Sequence, residues 1–191
     1  LAALVIADTP QAQRVRYDFW LTVTDMVREN FTQPIRDWCR AHNVPAGGHL
    51  LWEEGLRMHV PFYGSFFACM RDFDAPGIDC LTSLPPEVPW TIARLVSSVA
   101  ELEGRSLTMS ETSDHVQRYR PPGDERPVRR VSLGEMRGTL NRLMVGGINT
   151  ITSYYSFAGI SSSERIALNE YVGRCCTALR GGHQVTDIAV V

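Results

Sequence analysis

The chain has 191 residues, of which 44% are hydrophobic and 21% charged, a composition typical of a globular protein with one sizeable core. Its net charge of −2 gives no electrostatic reason to expect nucleic acid or a membrane surface as a partner. The five cysteines include an adjacent pair and no C-x-x-C spacing, which argues against a disulfide framework and a zinc site. No apolar run reaches the roughly 20 residues that span a bilayer, so we expect a soluble chain, either cytoplasmic or secreted.

The spacing of apolar residues predicts helices and strands in alternation. A helical pattern runs from Gln11 to His42, where Pro34 either kinks the segment or begins a second helix. Further helices are predicted over 61–73, 89–102 and 132–145, and from one of the serines 161–163 to the glycine pair 181–182. Strands are predicted near 44–51, 77–81, 106–110 and 148–153, followed by a truncated strand over 187–191.

This α/β alternation with short connections indicates a parallel sheet with helices on its faces. An open doubly wound sheet usually carries a glycine-rich phosphate loop after its first strand, and the sequence has none. We therefore predict the C-terminal half of a (β/α)8 TIM barrel. Residues 1–186 would form roughly the last four strand–helix units, and 187–191 would begin the following domain.

A half-barrel lacks neighbours for its outer strands and exposes its inner layer of side chains. The expected partners of this region are therefore the remaining barrel half and further domains of the same chain. Residues 1–191 expressed alone are expected to aggregate and to be inactive.

The ends of the predicted strands carry carboxylates, imidazoles and aromatic rings, and barrel enzymes place their functional residues at these ends. Carboxylates supply acid–base chemistry and aromatic faces stack on sugar rings, so a carbohydrate substrate is expected. The candidate catalytic residues are Glu111, Glu53 and Glu54. The candidate substrate-binding residues are His49, Trp52, Asp79, His115, Tyr154 and Tyr155, and no metal ligands are assigned.

Each candidate also has a structural interpretation. Glu111 directly follows a predicted strand, which favours catalysis over a buried ion pair with an arginine. Glu53 and Glu54 also suit the first turn of a helix, where negative charge is favourable. The structural alternatives for the other candidates are a core position for His49, a structural contact for Asp79, a loop position for His115 and simple packing for the aromatic residues.

Several blocks of sequence resemble glycoside hydrolase family 106 and its barrel relatives. These blocks are Trp38-Cys39-Arg40, Gly48-His49-Leu50-Leu51-Trp52-Glu53-Glu54, Ala75-Pro76-Gly77-Ile78-Asp79 and Ser110-Glu111-Thr112. The resemblance implies an α-L-rhamnosidase or similar exo-acting glycosidase that inverts configuration, with Glu111 as general base. It also implies a general acid on an earlier strand and, in some members, a calcium ion. The arginine-rich loop over 117–130 departs from the family pattern.

Three other functions remain open. A retaining β-galactosidase-like barrel also carries a glutamate at a late strand end, and a catalytically inactive barrel would bind carbohydrate through its aromatic rim. A metal-dependent hydrolase would use His49, Glu53 and Asp79 as ligands, although no second histidine supports that set. For the glycosidases, the two carboxyl groups stand about 5–5.5 Å apart in retaining enzymes and about 6.5–9.5 Å apart in inverting ones.

Overall fold

The computed structural model describes residues 2–6 and 8–185. The helices are α1 (Ala2–Val5), α2 (Pro10–Val27), α3 (Gln33–Ala41), α4 (Leu56–Tyr63), α5 (Phe66–Met70), α6 (Trp90–Leu102), α7 (His115–Arg118), α8 (Leu133–Val145) and α9 (Ser162–Leu179), with a π-helix at Arg28–Thr32 and a 3-10 helix at Pro85–Glu87. The strands are β1 (Gly47–Gly48), β2 (Ala75–Cys80), β3 (Met109–Thr112) and β4 (Thr150–Ser153). The strand and domain start predicted over 187–191 lie outside the described residues.

The strands within the described residues form one parallel sheet in the order β1-β2-β3-β4. This sheet curls into a half-barrel with helices between its strands, so the prediction of a parallel α/β fold is confirmed. In the register of β2 and β3, Asp79 lies opposite Glu111. None of the helices over 2–6 and 8–185 has the length and apolarity needed to cross a bilayer.

All four predicted strands within the described residues differ in extent from the structure, and two of them, β1 and β3, differ at an end by more than two residues. The strand predicted over 44–51 contains only Gly47 and Gly48, and Pro76, the partner of Gly48, has no N–H with which to extend the ladder. The strand predicted over 106–110 begins only at Met109. Ahead of it, the side chain of Asn149 accepts a hydrogen bond from Thr108 N and donates one to the carbonyl of residue 106, both at 2.9 Å. Glu111 consequently lies inside β3 rather than after it.

One predicted helix also differs, because it begins at Leu56 rather than at residue 61. The helix predicted over 61–73 divides into α4 and α5 at Gly64, whose φ is +78°. A Cβ at Gly64 would lie 2.0 Å from Oγ1 of Thr24, so this close approach to α2 requires glycine. In the segment predicted from Gln11 to His42, a π-helix separates α2 from α3, and Pro34 lies in the first turn of α3, which agrees with the predicted alternative of a second helix.

Successive side chains of β2 and β3 lie alternately on a buried face and on an accessible face of the sheet. Ile78, Cys80 and Ser110 are buried, whereas Asp79 and Glu111, which alternate with them, are partly exposed. Ile78 and Cys80 belong to the core cluster that also contains Ile92, Val96 and Val99 of α6. Asp79 and Glu111 therefore point away from the helical layer.

A buried carboxylate joins the N-terminal helices to the start of the sheet. Asp72 is 2% exposed and accepts hydrogen bonds from Thr32 Oγ1 at 2.7 Å, Arg36 Nη1 at 3.0 Å and Arg28 Nε at 3.1 Å. All three donors come from the π-helix and α3, whereas Asp72 lies just before β2. This network fixes the position of the helices that precede β1.

We predict that Asp72→Ala lowers the free energy of unfolding by about 3 kcal/mol, because it removes the shared partner of two half-buried arginines. Urea denaturation measures the change. The control is Asp37→Ala, which removes the exposed partner of Arg36 and should have a much smaller effect, because solvent screens an exposed ion pair. Equal effects of the two substitutions would show that the buried network has no special role.

Candidate active site

Two carboxylates lie side by side on the accessible face of the sheet. Asp79 and Glu111 are register partners one residue before the ends of β2 and β3, so their side chains leave neighbouring strands in the same direction. The Glu111 side chain is 29% exposed and can therefore be reached by solvent or a ligand. The C-terminal ends of the strands thus carry a pair of acidic groups, as the sequence predicted.

His49 completes this group from the end of the neighbouring strand. It directly follows β1, and its Nε2 lies 3.7 Å from Glu111 Oε2. One polar atom each from His49, Asp79 and Glu111 lie within 4.8 Å of one another. We call these three residues the rim cluster. Three residues predicted from separate segments of the sequence are therefore brought together.

The loop after His49 directs Glu53 into the protein. Trp52 adopts a φ of +60°, an uncommon conformation for a bulky residue, and is 53% exposed. Glu53 is only 1% exposed, whereas Glu54 is exposed. Neither glutamate lies in a first helical turn, because α4 begins only at Leu56.

Glu53 contacts the side of the His49 ring that faces away from Glu111. Its Oε1 lies 3.2 Å from Nδ1, which is also 2.9 Å from the carbonyl oxygen of Leu50. The hydrogen bond to Glu53, assisted by the charges of Glu53 and Asp79, raises the pKa of His49 to about 9 against the effect of burial. The imidazole is therefore protonated at neutral pH, and its two N–H groups point toward opposite carboxylates.

Asp79 has the character of a weak acid. Burial raises its pKa to about 6, repulsion from Glu111, Glu53 and Glu54 acts in the same direction, and His49 opposes the shift. Its Oδ1 is buried and has no hydrogen-bond partner among the described residues. A carboxyl group with these properties in an accessible site is typical of a group that exchanges protons or binds a ligand.

The rim cluster does not fit a calcium ion. Calcium takes about six to eight oxygen ligands, whereas the rim cluster offers two carboxylate groups and an imidazole nitrogen. The ligand set predicted for a metal-dependent hydrolase is also not assembled, because Glu53 approaches the far side of the His49 ring and Glu111 takes its place beside Asp79.

The remaining candidates divide between rim and core. Tyr154 directly follows β4 and is 63% exposed, so its ring is available at the same end of the sheet. Tyr155 is buried with the side chains between α8 and α9, which places it in the core rather than in contact with substrate. His115 begins α7 and contacts Tyr119 in a tilted ring arrangement with centroids 4.7 Å apart, outside the rim cluster.

One residue near the site was not among the candidates. Asp114 is buried and accepts hydrogen bonds from Ser156 Oγ at 2.6 Å, Ser156 N at 3.1 Å and Arg118 Nε at 3.0 Å. It thereby ties the loop after β3 to the loop after β4. The i,i+4 spacing of Asp114 and Arg118 was the local signal for one of these contacts.

Comparison with protein-family models, curated proteins and solved structures finds no match to this chain. Function is therefore inferred from the chemistry and geometry of the site.

We predict that Asp79→Asn stabilises the protein by about 1–3 kcal/mol at pH 8 and leaves stability nearly unchanged at pH 4. The pKa of Asp79 is higher in the folded protein than its ordinary value of 3.8. The stability that the neutral carboxyl group gives to the folded state is therefore fully present below pH 3.8 and is lost as the pH rises through about 6. Urea denaturation at both pH values measures the difference.

Glu170→Gln is the control for this measurement, because it removes an exposed carboxylate from α9, a helix that packs on α8 and β4. It should show no comparable gain at pH 8. A destabilising effect of Asp79→Asn at pH 8 would mean that the negative charge of Asp79 supports the fold.

Proposed function

We propose that the protein is a glycoside hydrolase in which Glu111 is the general base, and that residues 1–186 form the C-terminal half of a (β/α)8 barrel. The main support is the convergence of His49, Asp79 and Glu111 at the ends of three neighbouring parallel strands. In barrel enzymes this end of the sheet carries the catalytic groups. The resemblance to family 106 supports exo-acting, α-L-rhamnosidase-like hydrolysis of an oligosaccharide or polysaccharide.

Glu111 is suited to act on water. Its carboxylate is accessible, and the His49 imidazolium compensates its negative charge from 3.7 Å. As the oxygen of water bonds to the anomeric carbon, Glu111 takes a proton from that water and the bond to the leaving oxygen breaks. The leaving oxygen takes its proton from a general acid on an earlier strand, as the resemblance implies. In this inverting mechanism, the role of Asp79 is to bind a sugar hydroxyl.

Asp79 also supports a second mechanism, hydrolysis with retention. Its separation from Glu111, under 4.8 Å for one pair of atoms, is far from the roughly 6.5–9.5 Å of an inverting pair and near the roughly 5–5.5 Å of a retaining one. In this mechanism Glu111 attacks the anomeric carbon and forms a glycosyl ester. Asp79 protonates the leaving oxygen and then takes a proton from the water that cleaves the ester.

The aromatic residues at the rim fit a sugar in either mechanism. Trp52 and Tyr154 are each more than half exposed and follow the ends of β1 and β4, on either side of the rim cluster. Their faces can stack on the apolar side of a pyranose ring, and the same rings would serve a barrel that binds carbohydrate without cleaving it.

We predict that Glu111→Gln lowers kcat on an aryl α-L-rhamnoside by about 10²–10⁴-fold with little change in KM, because general acid–base catalysis contributes only in the transition state. Steady-state kinetics of the complete enzyme measures the loss. The control is Glu170→Gln, which removes an exposed carboxylate from α9 and should retain most of the activity.

Proton NMR of the first-formed sugar separates the two mechanisms. Inversion of the anomeric configuration supports Glu111 as general base, whereas retention supports Glu111 as nucleophile with Asp79 as the acid. If Glu111→Gln keeps wild-type kcat, Glu111 is structural and the proposal is wrong. Binding of rhamnosides without turnover by the wild-type protein would instead identify an inactive carbohydrate-binding barrel.

A further inference from the structure

We infer that Glu53 and His49 form a positioning pair for Glu111: buried Glu53 holds the ring of His49 so that the ring presents Nε2–H to the Glu111 carboxylate. The inference rests on the proposed role of Glu111 and adds to it two residues that do not themselves react. It also changes the role of Glu53, which the sequence placed among the catalytic candidates.

The burial of Glu53 excludes direct contact with a substrate. The residue is 1% exposed, and its Oε2 has no hydrogen-bond partner within residues 2–6 and 8–185. Burying a carboxylate is costly unless a charged partner compensates it. Among the ion pairs within the described residues, its partner is His49, at 3.2 Å. Because its ionic partner is the accessible imidazole of His49, the buried Glu53 carboxylate is suited to fix the orientation of that ring.

The backbone around Glu53 is itself anchored. Nε2 of His59 lies 2.8 Å from the Glu53 carbonyl oxygen, and the His59 ring stacks on Phe66 with centroids 5.0 Å apart. Trp52 precedes Glu53, and its positive φ turns the chain so that the side chain of Trp52 points outward and that of Glu53 points inward. Glu53 therefore reaches His49 from a fixed point in the core.

The geometry of His49 transmits this constraint to Glu111. Nδ1 contacts both the Leu50 carbonyl at 2.9 Å and Glu53, which fixes the plane of the ring and leaves Nε2 directed at Glu111. The acidic groups that act on His49 are Glu53 and Asp79, and Glu111 faces its Nε2. An imidazole that one carboxylate orients toward a reacting group is a recurrent catalytic arrangement.

The experiment compares Glu53→Gln with Glu54→Gln, which removes the same charge from the adjacent exposed position. The pH titration of the His49 ring is followed by NMR in the complete protein, with the resonance assigned by its loss in His49→Gln. The wild-type midpoint is expected near 9. In Glu53→Gln it should fall by about one unit or more, the usual contribution of one close ion pair, and in Glu54→Gln it should stay in place.

Enzyme kinetics supplies the second measurement. Glu53→Gln should lower kcat by about 10–100-fold, the usual effect of losing a residue that orients an active group, and should move the alkaline limit of the kcat profile to lower pH. A residue needed only for stability would not shift that limit. Glu170→Gln, which removes an exposed carboxylate from α9, should leave both values unchanged.

Each outcome decides a specific point. An unmoved His49 titration in Glu53→Gln refutes the pair, and because no substrate is needed, this holds even if the protein is not a glycosidase. A moved titration with wild-type kcat and pH profile refutes the positioning role and leaves the proposed function intact. If Glu53→Gln does not fold, Glu53→Asp keeps the charge but withdraws it from the ring, and a wild-type midpoint in that variant overturns the inference.

Discussion

The parallel register of β2 and β3 imposes a constraint that organises the whole site, because it places the carboxyl groups of Asp79 and Glu111 side by side. Two negative charges less than 5 Å apart repel by roughly 3–4 kcal/mol at the effective dielectric constant of a protein surface. The imidazolium of His49 compensates this repulsion. It stays protonated because its Nδ1 is hydrogen-bonded to the Glu53 carboxylate. The half-exposed pair on the sheet thus depends on a buried charge supplied by a loop.

The alternation of side chains along the strands allows this polar site to exist beside an apolar core. Ile78 and Cys80 pack toward α6, while Asp79 between them points to the other face of the same strand. The carboxylates consequently cost little in core packing, and their energetic cost comes mainly from incomplete solvation, which the raised pKa of Asp79 reflects. Burial is strongest at Glu53, whose ionic partner among the described residues is His49.

Local patterns in the sequence predicted the parallel α/β alternation and the position of His49, Asp79 and Glu111 at one end of the sheet. They did not predict features that depend on distant partners. The break at Gly64 is imposed by Thr24, and the late start of β3 by the side chain of Asn149, each some 40 residues away in the chain. The contact between Glu53 and His49 depends on the φ of Trp52, a conformation that residue type does not predict.

The retaining mechanism requires a protonated Asp79 and the inverting mechanism does not. The pH dependence of kcat therefore distinguishes the two mechanisms. Retention requires a protonated Asp79 as the acid, so kcat should decline as the pH rises through about 6, where this carboxyl ionises. Inversion with Asp79 as a binding group carries no such limit, and the alkaline decline should then follow loss of the proton from His49 near pH 9. In Asp79→Asn, a retaining enzyme loses its acid at every pH. An inverting enzyme stays active, because Glu53, His49 and Glu111 remain in place, and its alkaline limit moves to somewhat lower pH, because the charge of Asp79 no longer helps to raise the pKa of His49.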